Sequence, residues 1–225
     1  MTIIYKPTQS PDCWREFLAD PETQWKTGYS AKSMAYAWEQ ENGMPARVRD
    51  AIELVLPGKL EPLLVIPEYK VPLPGRGRDS QNDAFVLARI GSQTAAIMVE
   101  GKVNESFDVE LRDWMKRASD NKKARLTGLC NILGLNYPPN LSLRYQLFHR
   151  TASALITAQT FKTDIAIMLV HGFSQDHAWF EDYAAFAKAL GIKAPKRGAL
   201  QKTNTETSSP LYLGWVTGDP KYLKA

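Results

Sequence analysis

The sequence predicts an α/β protein with a mixed central sheet and helices on both faces. Apolar residues recur at helical spacing in residues 9–56 and again in 105–161. Between and after these stretches, strand-like runs occupy about 61–103 and 164–171. Helices that alternate with strands in this way favour a sheet covered by helices. Hydrophobic residues make up 44% of the chain and charged residues 23%, which excludes a largely disordered protein.

The first stretch predicts three helices. Ser10-Pro11-Asp12 starts a helix that continues to Leu18, and Ser30 begins a second one that carries Met34 and Trp38 on one face. Gly43-Met44-Pro45 breaks this second helix. A short third helix then ends at Pro57-Gly58.

The second stretch predicts three strands. Residues 63–71 form the first, and its prolines favour an edge position. Residues 72–78 form a basic, flexible loop rich in proline and glycine. Residues 84–90 and 94–99 form a hairpin that turns at Gly91-Ser92. The third strand is apolar on both faces, which indicates a central position.

The rest of the chain returns to helices and closes with strands. The predicted elements are a basic helical segment at 112–125, a helix at about 142–160, a strand at 164–171, a helix at 179–190, a mobile loop at 194–210 and a last strand at 211–216. We expect a single domain over 1–225 with a core at about 30–175. The predicted appendages are a helical extension at 1–29 and a helix, mobile loop and strand at 176–225.

The sequence also predicts a cytoplasmic protein that does not enter a membrane. No run approaches 18 uncharged apolar residues, and the start of the chain does not resemble a secretory signal. Two lone cysteines suit a reducing compartment and exclude a disulfide framework.

Charged residues at the end of the central strand indicate a functional site. Alternation places Glu100 and Lys102 on the same side of this strand. A hairpin that turns at residues 91–92 pairs positions whose numbers sum to about 183, so Asp83 comes opposite Glu100. Cross-strand β-carbons are then roughly 4.5–5.5 Å apart. A solvated strand end with a simple ion pair is the alternative, and Asp79 is an alternative ligand to Asp83.

Two adjacent carboxylates repel each other and favour a cation between them. Oxygen ligands beside a lysine suit Mg²⁺ or Mn²⁺ better than zinc. Such a metal polarises phosphoryl oxygens and generates hydroxide from water, which Lys102 could orient or deprotonate. The residues therefore predict a site for phosphodiester hydrolysis.

Asn82-Asp83, sixteen residues and then Glu100-Gly101-Lys102 resemble the signature of the PD-(D/E)XK nuclease superfamily. The resemblance covers roughly residues 30–175 and implies a restriction-endonuclease-like core. It implies that Asp83, Glu100 and the carbonyl of Gly101 hold Mg²⁺ or Mn²⁺ and that Lys102 is catalytic. Some branches add a helical glutamate and a helical glutamine, for which Glu39 and Gln146 are the candidates. Asn82 replaces the proline of the signature.

Basic residues near these acids predict contact with nucleic acid, and the resemblance implies DNA. The net charge is +4 and the pI about 9.0, which favours an anionic partner only weakly. A homodimer would suit the cutting of two strands. A non-catalytic domain of the same fold that binds nucleic acid or protein is the alternative function. The predicted contact residues are Arg76, Arg78, Lys116, Arg117, Lys122, Lys123 and Arg125.

Overall fold

A computed structural model describes residues 7–225 of the chain, and the start of the predicted N-terminal extension lies outside the described residues. The described residues contain a six-stranded mixed sheet with helices packed on both of its faces. This arrangement confirms the predicted fold class.

The helices and strands lie close to their predicted positions. The helices are α1 (Pro21–Gln24), α2 (Ser30–Gln40), α3 (Ala46–Glu53), α4 (Leu111–Trp114), α5 (Asp120–Leu133), α6 (Tyr145–Phe161) and α7 (Phe180–Ala189), with 3-10 turns at Pro11–Phe17 and Pro220–Lys224. The strands are β1 (Leu60–Val71), β2 (Ser80–Ile90), β3 (Gln93–Lys102), β4 (Ile165–Gly172), β5 (Ala199–Lys202) and β6 (Leu211–Thr217).

The strand order in the sheet is β1-β2-β3-β4-β6-β5. The first three strands are antiparallel to one another, whereas β4 runs parallel to β3 after the crossover through α5 and α6. The predicted edge position of the first strand and central position of the third are confirmed. Among residues 7–225, no helix combines the length and the apolar character that a membrane crossing needs.

One predicted element is wrong. The sequence predicts a mobile loop at 194–210, but Ala199–Lys202 pairs antiparallel with β6 and forms the second edge of the sheet. This strand has four residues, of which Leu200 is buried. Its neighbours are polar and basic, so the hydrophobic alternation that marks a strand is too short to detect from the sequence.

The sheet separates two apolar cores. Met98 and Phe148 belong to the core under α5, α6 and α7, whereas Ile97 and Trp38 belong to the core under α2 and α3. Successive side chains of a strand point to opposite faces. Glu100 therefore follows Met98 onto the α6 face, and that choice of face determines where the functional side chains meet.

Candidate active site

The hairpin brings Asp83 and Glu100 together as the register predicts. Ala84 pairs with Val99 in the β2–β3 ladder. Because the two strands are antiparallel, the residue before Ala84, which is Asp83, lies opposite Glu100. The Asp83 carboxylate accepts a hydrogen bond from the backbone N–H of Gly101 at 2.6 Å. This bond fixes the side chain of Asp83 against the end of β3.

A third carboxylate extends this pair into a row. Tyr69 pairs with Asn82 in the β1–β2 ladder, so Glu68 on β1 lies opposite Asp83. Glu68 has a backbone φ of 51°, in the left-handed region that non-glycine residues rarely adopt. Such a conformation costs about 1–3 kcal/mol and persists only where the surrounding structure imposes it. The acids of the row, Glu68, Asp83 and Glu100, come from three adjacent strands.

Two buried cations neutralise Glu100. Lys102 donates to one carboxylate oxygen at 2.5 Å, and the Nε of Arg150 donates to the other. Glu100 is 3% exposed and Lys102 is 4% exposed, so the pair is shielded from water. The Lys102 amine also lies 5.0 Å from the centre of the Phe107 ring. This packing restricts the amine to one position beside the row of acids.

Helix α6 supplies the other polar side chains of the site. Gln146 and Arg150 are four residues apart and so share one face of the helix. Both line a cavity of about 670 Å³ together with the row of acids. The Gln146 Oε1 atom is buried and has no hydrogen-bond partner among residues 7–225. We call this space the acidic cavity; it is lined by Glu68, Asp83, Glu100, Lys102, Gln146 and Arg150, with further residues from α1, α2 and the segment after β3.

Burial and mutual repulsion shift the titration of the three acids. Burial, followed by the negative charge of Glu100, raises the pKa of Asp83 to about 7. Burial, followed by Asp83, raises the pKa of Glu68 well above its ordinary value. Burial would also raise the pKa of Glu100, but Arg150 and Lys102 outweigh it and hold that pKa below its ordinary value. Glu100 is therefore ionised, whereas Asp83 and Glu68 resist carrying further negative charge.

The structure brings Asp83, Glu100, Lys102 and Gln146 into this cavity, but it does not bring Glu39. The Glu39 carboxylate accepts hydrogen bonds from the indole N–H of Trp14 at 2.8 Å and from the hydroxyl of Thr8 at 2.5 Å. Glu39 thus attaches the N-terminal segment to α2. The acid that joins the predicted pair is Glu68, which comes from a strand and not from a helix.

A second cavity of about 530 Å³ lies beside the first and is basic. The loop between β1 and β2 forms one wall, and it is held in place where the sequence predicts flexibility. Asn121 on α5 accepts from the Arg76 backbone N–H at 2.7 Å and donates to the Arg76 carbonyl at 2.6 Å. Arg125 donates to the Arg78 carbonyl at 2.8 Å. We call this space the basic cavity; its charged lining residues are Arg76, Arg78, Asp79, Lys122 and Arg125.

Part of the predicted nucleic-acid contact set lies outside this cavity. Lys116 pairs with Asp113 at 2.6 Å, Lys123 pairs with Asp120 at 3.4 Å, and neither lines the cavity, nor does Arg117. Asp79, the alternative metal ligand, lines the basic cavity and not the acidic one.

The aromatic residue in this basic segment contacts the rest of the protein. The Trp114 ring stacks on Tyr145 with ring centres 4.1 Å apart. The amine of Lys122 lies 4.9 Å from the centre of the Trp114 ring. These contacts make Trp114 part of the wall beside the basic cavity.

A chain of polar contacts joins the two cavities. His149, at the basic cavity, lies 2.8 Å from the Ser80 hydroxyl through its Nδ1. Arg150 donates to the same hydroxyl at 3.0 Å and also to Glu100. Burial, followed by the positive charge of Arg150, lowers the pKa of His149 well below its ordinary value, so this imidazole is neutral. The two cavities therefore share a wall of hydrogen-bonded side chains.

Sequence reasoning did not select two residues of the acidic cavity, Glu68 and Arg150. Glu68 follows Pro67 in an edge strand, and the long β1–β2 loop prevents the register arithmetic that located Asp83. Arg150 follows Gln146 by four residues, so the sequence places both on one face of the predicted helix. The signal that could have selected it is the excess negative charge of the predicted acid pair, which needs a buried cation.

Comparison with known proteins adds a family match but no described activity. Residues 7–220 match the model of a family described as "Domain of unknown function (DUF6946)". The matched range contains both cavities. No curated protein and no solved structure matches the chain.

Proposed function

The chain belongs to the DUF6946 family, and we propose that it is a metal-dependent nuclease that hydrolyses phosphodiester bonds of DNA in the acidic cavity. The observation that carries this proposal is the row of carboxylates on three adjacent strands beside a buried lysine. Buried acids at the end of a sheet add nothing to its packing, and their mutual repulsion costs stability. Such an arrangement is typical of sites that bind a cation or activate water.

The sheet topology supports the proposal. The PD-(D/E)XK resemblance implies a helix, a hairpin that carries the acids, a further helix and then a strand, and α2, the β2–β3 hairpin, α5 and β4 follow this order. Asp83 on the second strand and Glu100 with Lys102 on the third occupy the positions that the resemblance implies for the site.

The residues present fit a magnesium or manganese ion by their chemistry. Asp83, Glu100 and the carbonyl of Gly101 offer oxygen atoms, which these metals prefer. The raised pKa of Asp83 and the unpartnered oxygen of Gln146 both indicate a place where a cation would be favourable. Within residues 7–225, no three His, Cys, Asp or Glu side chains are arranged to hold a metal by themselves. Main-chain oxygen and water would therefore complete the ligand set.

When bound, the metal would polarise a phosphoryl oxygen and lower the pKa of its water. Lys102 is held beside Glu100 and can donate hydrogen bonds to the attacking water or to a phosphate oxygen. Arg150 keeps Glu100 ionised and in place through its second oxygen. The amide of Gln146 on α6 lines the same cavity and can orient this water or the phosphate.

Incubation of the protein with plasmid and linear DNA in Mg²⁺ or Mn²⁺ tests this function. Asp83→Asn removes one charge and keeps an oxygen for the Gly101 N–H, and Lys102→Met removes the amine and keeps the length of the side chain. We expect both variants to lose at least about 100-fold in cleavage rate, as removal of an acid–base or electrostatic group does. Chelation of the metal should abolish cleavage by the wild-type protein.

Two variants control for the loss of a charge by itself. Asp50→Asn on α3 and Lys70→Met on β1 change exposed side chains that lie outside both cavities. They should cleave at the wild-type rate, and circular dichroism should show all four variants folded. Folded wild-type protein that leaves every DNA substrate intact in both metals would contradict the nuclease proposal.

A non-catalytic binding domain of the same fold is the second candidate. The observation that favours it is the occupation of both Glu100 oxygens by Lys102 and Arg150, which leaves the charge of this acid already neutralised. This candidate predicts DNA binding without cleavage and the same affinity for DNA in Asp83→Asn as in the wild-type protein.

The two unpaired cysteines, Cys13 and Cys130, suit a cytoplasmic location for either function. A homodimer would suit cleavage of both strands.

A further inference from the structure

The basic cavity contains positive charge that the protein itself does not neutralise. Arg76, Arg78, Lys122 and Arg125 line it against one acid, Asp79. Among residues 7–225, none of these four cations lies within 4.0 Å of a carboxylate oxygen. By contrast, Lys116 and Lys123 on the same side of the molecule each pair with an acid. A cavity with this excess of positive charge attracts an anion.

One of the four cations is buried and incompletely bonded. Arg125 is 7% exposed, and its Nη1 donates to the Arg78 carbonyl. Its Nε is buried and has no partner among residues 7–225. Leaving a buried donor of a charged group unsatisfied is costly, so a ligand that accepts from it would bind favourably.

The loop across the cavity is already in position for such a ligand. The side chain of Asn121 is hydrogen-bonded to both the backbone N–H and the carbonyl of Arg76, and Arg125 donates to the carbonyl of Arg78. Gly77 between them has a φ of 134°, and a Cβ at this position would lie 3.1 Å from Nη2 of Arg125. The loop and the guanidinium thus pack in direct contact. A cavity that is ordered before binding loses less conformational entropy when it binds.

The location of the basic cavity beside the acidic cavity indicates which molecule carries the anion that it binds. His149, Ser80 and Arg150 connect its wall to Glu100 in the acidic cavity. A group bound here therefore lies next to the site at which we place hydrolysis. The Trp114 ring in the wall of the basic cavity is already in contact with Tyr145 and with the Lys122 amine. The recognised chemistry is charge, not an aromatic surface.

We propose that the basic cavity is a subsite for a phosphate group of the nucleic-acid strand that the acidic cavity cleaves. This inference rests on the proposed function for the identity of the strand. The phosphate is either the terminal monoester of the strand or an internal diester. In both cases Arg125 Nε, Lys122 and Arg76 would donate charge-assisted hydrogen bonds to its oxygens.

Binding measured without metal separates this subsite from cleavage. The full-length protein in EDTA is titrated into a short single-stranded DNA that carries a fluorescent label at its 3′ end, and anisotropy reports the affinity. One DNA has a 5′-phosphate and the other a 5′-hydroxyl, and inorganic phosphate serves as the competitor. We expect inorganic phosphate to displace the DNA, whereas chloride at equal ionic strength displaces it less.

Variants of two cations that line the cavity locate the subsite. Arg76 is exposed, whereas Lys122 is half-buried and donates to the Trp114 carbonyl at 2.9 Å, so circular dichroism must show both variants folded. Lys122→Gln and Arg76→Gln should each lower the affinity about tenfold, as the loss of a hydrogen bond from a charged group does. Lys123→Gln removes the same charge from the same helix outside the cavity. It should lower the affinity less than about threefold, because it changes only the long-range field.

The two DNAs identify the source of the phosphate. If the 5′-phosphorylated DNA binds more tightly and Lys122→Gln removes that preference, the ligand is the terminal monoester. If both DNAs bind equally and Lys122→Gln weakens both, the ligand is an internal diester. Equal affinities of Lys122→Gln, Arg76→Gln and Lys123→Gln for DNA and for phosphate would overturn the inference. This last result would leave cleavage in Mg²⁺ unaffected, whereas failure of the nuclease proposal would leave the contrast between Lys122 and Lys123 intact.

Discussion

The acidic and the basic cavity lie side by side but stabilise their charges in opposite ways. In the acidic cavity Glu100, Lys102 and Arg150 are buried, and the carboxylate of Glu100 is paired with both cations. In the basic cavity most of the cations project from a loop and a helix face and have no acidic partner among residues 7–225. The acidic cavity thus contains an internal ion network, whereas the basic cavity presents unneutralised positive charge to the solvent.

This difference determines what a substitution can do in each cavity. Removing one member of a buried ion network leaves its partners charged and desolvated, which lowers stability strongly. Removing an exposed and unpaired cation changes stability little and acts mainly on ligand binding. Substitutions of the paired charges in the acidic cavity should therefore change folding and activity together, whereas the loss of an exposed cation from the basic cavity should mainly change binding.

The largest effect is expected for Glu100→Gln. The amide cannot neutralise Lys102 and Arg150, which would remain buried as two positive charges without the carboxylate that both of them contact. We expect the free energy of unfolding to fall by about 3 kcal/mol and DNA cleavage to be lost. Urea unfolding followed by circular dichroism measures the first effect, and the plasmid assay measures the second.

Glu61→Gln provides the matched control, because Glu61 lies on β1 in an exposed pair with Arg89 at 3.5 Å. It should change the free energy of unfolding by less than about 0.5 kcal/mol. A Glu100→Gln variant as stable as Glu61→Gln would show that water reaches the Lys102–Arg150 pair freely. The contrast between an internal network and an open surface would then not hold.

A smaller effect is expected from the titration of Asp83. Its pKa is raised from 3.8 to about 7, so between these pH values the folded protein holds a proton that the unfolded chain has released. The free energy of unfolding in EDTA should therefore fall as the pH rises from 5 to 7, by about 2 kcal/mol. Urea midpoints at the two pH values measure this slope.

Asp83→Asn isolates the contribution of this group. The shift in Glu68 has the same sign and also acts in the variant, so the informative quantity is the difference in slope between wild type and variant. The variant should lose less stability than the wild type as the pH rises. Equal slopes would mean that Asp83 is ionised at pH 5 and that no repulsion at the row of acids opposes its charge.

The sequence predicted the part of the site on the β2–β3 hairpin more fully than the part on β1. The position of Asp83 opposite Glu100 followed from the two-residue turn of the hairpin, because a tight turn fixes the register. Glu68 lies just as close in the sheet, but a loop of eight residues precedes β2 and carries no register information. Its left-handed backbone conformation is also set by tertiary contacts.

Only tertiary structure decides which neighbour a helix face contacts, and the two helical candidates differ in this respect. Glu39 is the candidate for the helical glutamate that the resemblance implies, yet the N-terminal segment packs beside it and provides Trp14 as its partner. Gln146 was chosen correctly for the acidic cavity, but three residues later His149 already faces the other cavity. One turn of helix thus supplies both cavities, and the sequence alone does not reveal where the division falls.

The smallest effect on stability is expected for Gly77→Ala in the basic cavity. A Cβ at this φ of 134° is strained, and it would press on the Arg125 guanidinium at 3.1 Å. We expect a loss of about 1 kcal/mol in stability and at least a threefold loss in affinity for inorganic phosphate. Gly198→Ala is the matched control, since Gly198 has a φ of 70° but nothing within 4 Å of the added Cβ. It should lose similar stability and keep its phosphate affinity. If Gly77→Ala also kept that affinity, the contact between loop and guanidinium would have no part in anion binding.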